Sequence, residues 1–388
     1  MQAAIAVMDA VLRGDVAERA LTAWGRGARY AGSGDRRAVR DLVYDALRRL
    51  RSSAWLGGQG DVAVGAMDAR AVLAGSLRGR GVDPVPLFDG SRHGPAPLAH
   101  REMPTPGPMP DGIRLDVPDW LLAPLRASLG PSFEPVCLAL RERAPVTLRA
   151  NATRIDRDAL AARLRAEGVE TVPHPLSPTA LTVEAGAAGL TAGPAFAEGL
   201  FEMQDAASQA AVDRLPLAAG MRVLDLCAGG GGKALAMAAR VPGLDLVAHD
   251  AVPARLRDLP VRAARAGARV RTAADPEAGT PFDLVVCDVP CSGSGAWRRQ
   301  AEARWRLDGA GLAAMTRVQD GILRRAATLV RPGGLVAYMT CSLLDAENGA
   351  RVAGAGALGL REALRWRATP LDGGDGFFLW LGLRDGRG

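Results

Sequence analysis

Only one of the 48 basic residues in this 388-residue chain is a lysine, Lys233, and the others are arginine. Arginine suits bidentate contact with phosphate, and the excess over 42 acidic residues leaves a net charge of +6. That balance leans toward a polyanionic partner without identifying one. Cysteine is scarce. Cys137, Cys227, Cys287, Cys291 and Cys341 in a chain of this length do not make a disulfide framework, which points to a reducing, cytoplasmic setting. No apolar run is long enough to span a membrane, so no membrane partner is expected. The opening MQAAIAVMDAVLRG lacks the basic start of a signal peptide. Its apolar residues Ile5, Met8, Val11 and Leu12 repeat at helical spacing, as in a helix of a folded domain. With 48% hydrophobic and 23% charged residues, the composition is that of a globular protein of two or three domains.

Residues 1–83 read as helices throughout, with Asp35 placed to cap a helix carrying Val39, Leu42, Val43, Ala46, Leu47 and Leu50. Arg36, Arg37, Arg40, Arg48, Arg49 and Arg51 lie on that helix and its ends. They suit either a nucleic-acid backbone or a solvated face. Prolines and glycines crowd 84–118, a linker or irregular wrap. Residues 119–202 give a helix and then the order β, α, β, β (146–151, an Asp156-capped helix to Ala166, 169–172, 180–183), a small α+β module of the kind that reads RNA. No aromatic residue marks those strands, so base stacking on them has no support. From 203 to 388 strands and Ala/Arg-rich helical stretches alternate. Strand candidates end at Asp225, Asp250, Asp275, Asp288 and Thr340, with a last strand over 377–383, as in a doubly wound parallel sheet whose ligands sit at the carboxyl strand ends.

The first of those strands runs into MRVLDLCAGGGGK, residues 221–233. Gly229, Gly230, Gly231 and Gly232 let backbone approach a ligand closely, and the amides opening the next helix face it. The spacing is not that of the dinucleotide fingerprint, and no Ser or Thr follows Lys233 as a phosphate loop requires. A nucleoside-bearing ligand without a triphosphate fits better. Asp250, about 18 residues beyond Gly232, is placed to accept from ribose hydroxyls, and Asp275 to meet a base edge. Either acid is equally suited to capping the turn that follows it.

Two cysteines sit just past strand ends, in Asp288-Val289-Pro290-Cys291-Ser292-Gly293-Ser294-Gly295 and Thr340-Cys341-Ser342. A cysteine there, beside Pro, Ser and Gly, faces a cleft and is placed to act as a thiolate. A zinc site from Cys227, Cys287, Cys291 and Cys341 is disfavoured because no C-x2-C pair exists, and no metal is expected.

On these motifs the chain resembles the Nol/Nop/Sun RNA cytosine-C5 methyltransferases, and within them the bacterial Fmu-type (RsmB-like) ribosomal RNA branch. MQDAASQAAV (203–212) is similar to the family's lead-in helix and DLCAGGGGK (225–233) to its cofactor loop. DVPCSGSGAWRR (288–299) and YMTCSLLDAEN (338–348) are similar to its two cysteine motifs, and RAPVTLRAN (143–151) opens its RNA-binding module. The resemblance implies a Rossmann-like class I methyltransferase domain (203–388) behind a NusB-like helical domain (1–83), a linker (84–118) and an α+β RNA-binding module (119–202). It implies S-adenosylmethionine as cofactor, held by Cys227, Ala228, the four glycines, Lys233, Asp250, Asp275 and Asp288. Cys341 is then the nucleophile, Cys291 the residue that helps release product, and Asp288 the group holding the pyrimidine edge. Ribosomal RNA is the favoured partner, with transfer RNA or a non-catalytic role in ribosome assembly as alternatives, and a monomer is expected. Two departures stand out: Gly229 and Gly230 replace the family's usual Ala-Pro, and Gln300 and Ala301 replace a His or Asn followed by Pro. The run Trp297, Arg298, Arg299, Arg304, Trp305, Arg306 is a candidate grip on RNA, with the alternative that its tryptophans are core.

Overall fold

In the computed structural model, which describes residues 1–92, 94–279 and 281–386, the chain divides into two units. One comprises residues 1–143 with 297–307, the other 144–296 with 308–388.

The second unit is built on a seven-stranded sheet. Its strands are β5 (Arg222–Asp225), β6 (Asp245–Ala248), β7 (Arg271–Thr272), β8 (Phe282–Asp288), β9 (Val330–Thr340), β10 (Leu360–Ala368) and β11 (Phe377–Arg384), in the order β10-β11-β9-β8-β5-β6-β7. β5 through β9 run parallel, which puts the glycine loop and both cysteine motifs at one end. Alternate residues enter opposite cores: Leu224, Val285, Val336 and Trp380 pack on one face, Val223, Leu284, Ala337 and Leu379 on the other. Burial on both faces is why these strands read as continuous apolar runs. The sheet is not parallel throughout, because β11 is antiparallel to β9 and β10 to β11. β10, LREALRWRA, carries residues that favour helix and reads as part of a helical stretch. Pairing with β11 overrides that preference, and its exposed charges guard an edge.

The same unit holds a four-stranded antiparallel sheet in the order β2-β3-β1-β4, from β1 (Val146–Ala150), β2 (Glu170–Pro173), β3 (Ala180–Ala185) and β4 (Phe201–Met203). Asp156 caps the helix Arg157–Ala166 by accepting from the Ala159 amide at 2.8 Å, as its position predicts. Leu148, Leu160, Leu164, Leu181 and Phe201 form the core between helix and sheet. Phe201 is buried there, so this strand aromatic offers no base-stacking surface.

The first unit is helical: Gln2–Leu12, Ala17–Gly27, Ser33–Arg48, Leu50–Leu56 and Ala69–Gly79 share one core. Asp35 lies inside its helix, where its carboxylate accepts from the Gly32 amide at 3.0 Å. The Pro/Gly-rich stretch is anchored by buried Phe88, Ile113, Leu115 and Val117.

Most of the arginines on the third helix, at its end and at the start of the fourth are occupied by this unit itself. Arg48 and Arg51 are buried, Arg40 pairs with Glu18, Arg49 with Glu142, and Arg51 with Asp119 and Asp61. Much of the Trp297–Arg306 run is likewise built into the unit, although Arg299 and Arg306 are exposed. Trp297 and Arg304 are fully buried. Arg304 donates to the Asp116 carbonyl at 2.6 Å and the Leu140 carbonyl at 3.3 Å, between the rings of Trp297 and Trp305. A guanidinium amid tryptophans is a composition shared by RNA grips and by cation–π cores, and here it is a core.

Candidate active site

The glycine loop leaves β5 and closes on itself: the Gly231 amide donates to the Ala228 carbonyl at 2.8 Å, and the helix Gly232–Arg240 begins. Gly231 has φ +80°, and an added Cβ would lie 2.2 Å from the Leu259 side chain, so only glycine fits. No side chain caps this helix, which leaves its first amides to a ligand. Cys227, Ala228, Gly232, Lys233 and Asp288 line one cavity of about 210 Å³ with Asp225, Gln204 and Ser208.

The two acids expected to take the nucleoside stand apart from that cavity lining. Asp250 is buried and accepts from the Gly229 amide at 2.9 Å and the Val252 amide at 2.8 Å, tying the loop to the end of β6. Asp275 is exposed and accepts from the Glu277 amide at 3.0 Å. Both therefore do the turn-capping work that is the alternative to ligand binding. Beside them Arg325 holds Glu277 with both arms and faces His249 Nε2 at 3.3 Å.

Charge is concentrated at the junction of loop and strands. Lys233 Nζ donates to Asp288 Oδ2 at 2.5 Å and lies 5.0 Å from the Phe377 ring centre. Burial works against its charge, but the Asp288 carboxylate beside it, with Asp225 and Cys341, outweighs that and raises Lys233 above its ordinary pKa. Asp225 is 1% exposed, and its carboxylate oxygens make no hydrogen bond of good geometry among the described residues, the Cys227 and Ala234 amides beside them contributing only a weak pull. Burial pushes its pKa up to about 7, against the pull of Lys233.

β8 and β9 are neighbours, so the two cysteine motifs meet. Cys291 Sγ and Cys341 Sγ are 3.4 Å apart and both are half-buried. The hydrogen bond to Cys341, then burial, then the charges of Cys341 and Glu347 hold the Cys291 thiol far above its ordinary range. Cys291 is therefore held in its protonated form while the Cys341 sulfur lies beside it. Cys227 and Cys287 are raised chiefly by burial, which suits inert thiols. Among the described residues no cluster of three or more His, Cys, Asp or Glu side chains is arranged to hold a metal.

A sequence profile described as 16S rRNA methyltransferase RsmB/F matches residues 213–376, and one for the RsmF/B-like ferredoxin-like domain matches 117–188. Ribosomal RNA small subunit methyltransferase B of Xylella fastidiosa (strain Temecula1) is 35% identical over 289 residues, 69% of this chain and 67% of that protein. The chain belongs to the RsmB/F methyltransferase family. It is an RNA methyltransferase of the RsmB/F type, although it spans only 56% of the same-named protein from X. fastidiosa strain 9a5c. The crystal structure of PH0851 shares its fold, with a TM-score of 0.77 at 22% identity over 99% of this chain and 98% of that one.

Sequence reasoning missed the group that joins the two cysteine motifs of this RsmB/F chain. Glu347 is fully buried, and its carboxylate accepts from the Ser292 amide at 2.8 Å, the Ser292 and Ser342 hydroxyls at 2.5 Å each, and Gln319 at 3.1 Å. Ser292 and Ser342 each follow a cysteine. The motif containing Glu347 was legible, but a glutamate six residues past Cys341 gives no sign of reaching back to Ser292 without the strand pairing. Asp225 was legible as a strand end, but its lack of a well-formed hydrogen bond among the described residues was not.

Proposed function

We propose that this chain transfers a methyl group from S-adenosylmethionine to C5 of a cytosine in RNA, 16S ribosomal RNA being the favoured substrate, through a covalent bond between Cys341 and cytosine C6. The observation that carries the reading is the pair of thiols 3.4 Å apart at the ends of adjacent parallel strands.

The residues fit the cofactor. The buried Asp225 carboxylate, which makes no hydrogen bond of good geometry among the described residues, lines the cavity beside the glycine loop, where an ammonium such as that of the cofactor's methionine part would satisfy it. Gly229 to Gly232, Lys233, Cys227 and Ala228 form the loop itself, while Asp250 and Asp275, outside that cavity lining and already accepting backbone amides, are the residues that would hold the nucleoside. When bound, S-adenosylmethionine supplies an electrophilic methyl carbon.

Carbon 5 of cytosine is a poor nucleophile until a thiolate adds to C6, so a cysteine is chemically required. The Cys341 thiolate forms that C6–S bond as the ring electrons move toward N3, which takes a proton from water, while Asp288, paired with Lys233, accepts from the protonated N3 and the N4 amino group. The two sulfurs share a hydrogen bond before attack, and with Cys291 as its donor that bond favours the Cys341 thiolate. Once the Cys341 sulfur is bonded to carbon, its charge and its hydrogen bond no longer hold the Cys291 proton. Cys291 then falls toward an ordinary thiol pKa and, once ionised, can take the C5 proton directly or through a water. The C6–S bond breaks and the aromatic pyrimidine returns. A target inside a stacked duplex is out of reach of such a cleft, so the substrate cytosine is single-stranded or extruded. Residues 119–202 are read as the RNA-binding module.

The test is transfer of label from methyl-labelled S-adenosylmethionine to undermethylated 16S RNA, with the product mapped as 5-methylcytosine. Cys291→Ala traps a covalent RNA adduct, and Cys341→Ser yields neither adduct nor product. The reverse pattern assigns the nucleophile to Cys291, and no transfer by the wild-type protein refutes the reading.

A further inference from the structure

Two guanidinium groups grip the glycine loop through its carbonyl oxygens. Arg262, on the helix Leu259–Ala266, donates to the Gly230 carbonyl at 2.5 Å and to Glu202 Oε2 at 2.9 Å. Arg149, buried on β1, donates to the Gly232 carbonyl at 2.9 Å and to Gln204 Oε1. Glu202 on β4 is itself buried and also takes Arg265, whose guanidinium lies 3.7 Å over the Phe196 ring. Carbonyls at both ends of the Gly230–Gly232 segment are thus held by donors rooted in, or braced by, the small antiparallel sheet.

A run of four glycines needs such support. A peptide between two glycines can rotate with little steric cost, and a flip of the Gly230–Gly231 peptide would exchange its N–H and C=O directions. That peptide closes the turn through the Gly231 amide and the Ala228 carbonyl, and so sets the path of Gly232 and Lys233 along the cavity. Its own carbonyl is fixed by Arg262. Among the described residues other than its chain neighbours, Arg262 Nη1 is also the one heavy atom within 4 Å of where a Gly230 Cβ would lie, at 3.0 Å, so no other side chain packs there.

We propose that Arg262, braced by Glu202, is a positioning residue for the cofactor loop: it holds the Gly230 carbonyl turned away from the cavity and so preorganises the turn that receives S-adenosylmethionine. The inference rests on the loop being the seat of that cofactor. It predicts a defect confined to the cofactor, because neither Arg262 nor Glu202 touches the cysteine pair.

The experiment is calorimetric titration of the full-length protein with S-adenosylhomocysteine, alongside steady-state methylation with both substrates varied. Arg262→Ala raises the S-adenosylhomocysteine Kd and the S-adenosylmethionine KM at least about fivefold, while kcat and the RNA KM stay within about twofold. Adding Gly230→Ala to Arg262→Ala recovers about two- to fivefold, since alanine restricts the loop and no longer meets Arg262. Glu202→Gln, which keeps side-chain size and loosens Arg262, serves as the second variant should Arg262→Ala lower the melting temperature, and it raises Kd at least about twofold. Wild-type protein that fails to bind S-adenosylhomocysteine refutes the cofactor reading and this inference with it. Wild-type protein that binds, with Arg262→Ala and Glu202→Gln binding equally well, refutes the inference alone. A loss that falls equally on kcat and RNA KM also overturns it, because it would mark a general structural role.

Discussion

Replacing Glu347 by alanine removes the one carboxylate that ties the loop after β8 to the loop after β9. Four donors converge on it at 2.5–3.1 Å with no solvent access. The Ser292 and Ser342 hydroxyls can turn to other acceptors, since Ser342 also lies 3.0 Å from the Ser294 hydroxyl. The Ser292 amide and the Gln319 amide group cannot turn so freely, and each buried donor left without a partner costs about 1–3 kcal/mol. The cavity left by the side chain adds to this, so Glu347→Ala should destabilise the paired loops locally by about 3–5 kcal/mol. Glu347→Gln keeps one carbonyl oxygen for the two amides and presents an NH2 to hydroxyls that can accept, so its cost should be about 1 kcal/mol. Hydrogen exchange read by mass spectrometry on peptides covering 290–296 and 341–345 measures local opening directly. Exchange there should rise about 10²-fold or more in Glu347→Ala and less than about tenfold in Glu347→Gln, with peptides of the first unit unchanged. Methyl transfer should follow the same order, because the S···S distance depends on both loops. Exchange in Glu347→Ala within about twofold of wild type would refute the argument that this carboxylate sets the cysteine geometry.

Asp225 gives a pH signature. Its folded pKa of about 7 lies above its ordinary 3.8, so its stabilising contribution is complete below about pH 4 and is lost as pH rises through about 7, amounting to about 4 kcal/mol at most. Differential scanning calorimetry of the ligand-free protein should therefore show wild type losing stability relative to Asp225→Asn between about pH 4 and 7, and parallel profiles would refute the assignment. Because the ionised carboxylate is the form that receives an ammonium, S-adenosylhomocysteine should bind up to about tenfold more weakly at pH 6 than at pH 8 in wild type, and without that dependence in Asp225→Asn. Lys233→Met leaves Asp225 and Asp288 facing each other without their cation, and should cost about 3 kcal/mol in transition-state stabilisation, read as a fall of at least about 10²-fold in kcat/KM. Arg304→Ala, a change within the first unit, should destabilise that unit by about 3 kcal/mol in limited proteolysis while leaving S-adenosylhomocysteine affinity unchanged.

Legibility in the sequence tracked how local the cause was. The buried strands announced themselves because parallel strands covered on both faces must be apolar, and the Asp156 cap because a helix start is settled within a few residues. β10 was hidden because its residues prefer helix, and its strand state comes from β11, nine or more residues later in the chain. The arginines misled for a related reason. Composition records that Arg48, Arg51 and Arg304 are charged, but not that the Arg298 carbonyl, Asp119 and the Asp116 carbonyl wait for them elsewhere. The cysteine motifs were legible as chemistry. Their meeting at 3.4 Å, and the glutamate that joins them, follow only from the adjacency of β8 and β9.

The position of the single lysine follows from the same geometry. Lys233 opens the helix after the glycine loop and reaches Asp288 at the end of β8, so one side chain spans from the turn proposed to seat the cofactor to the strand that leads to Cys291. An arginine there would bring a wide planar fork of five donors to a single carboxylate oxygen, whereas an ammonium fits as a compact charge. It also stands where two acids, Asp225 and Asp288, would otherwise repel. A bound ammonium at Asp225 would share that negative charge, loosening the hold of Asp225 on Lys233 and leaving Lys233 more fully to Asp288. Cofactor binding would then sharpen the group that is proposed to hold the pyrimidine, which gives a physical reason for the two halves of the site to be occupied together.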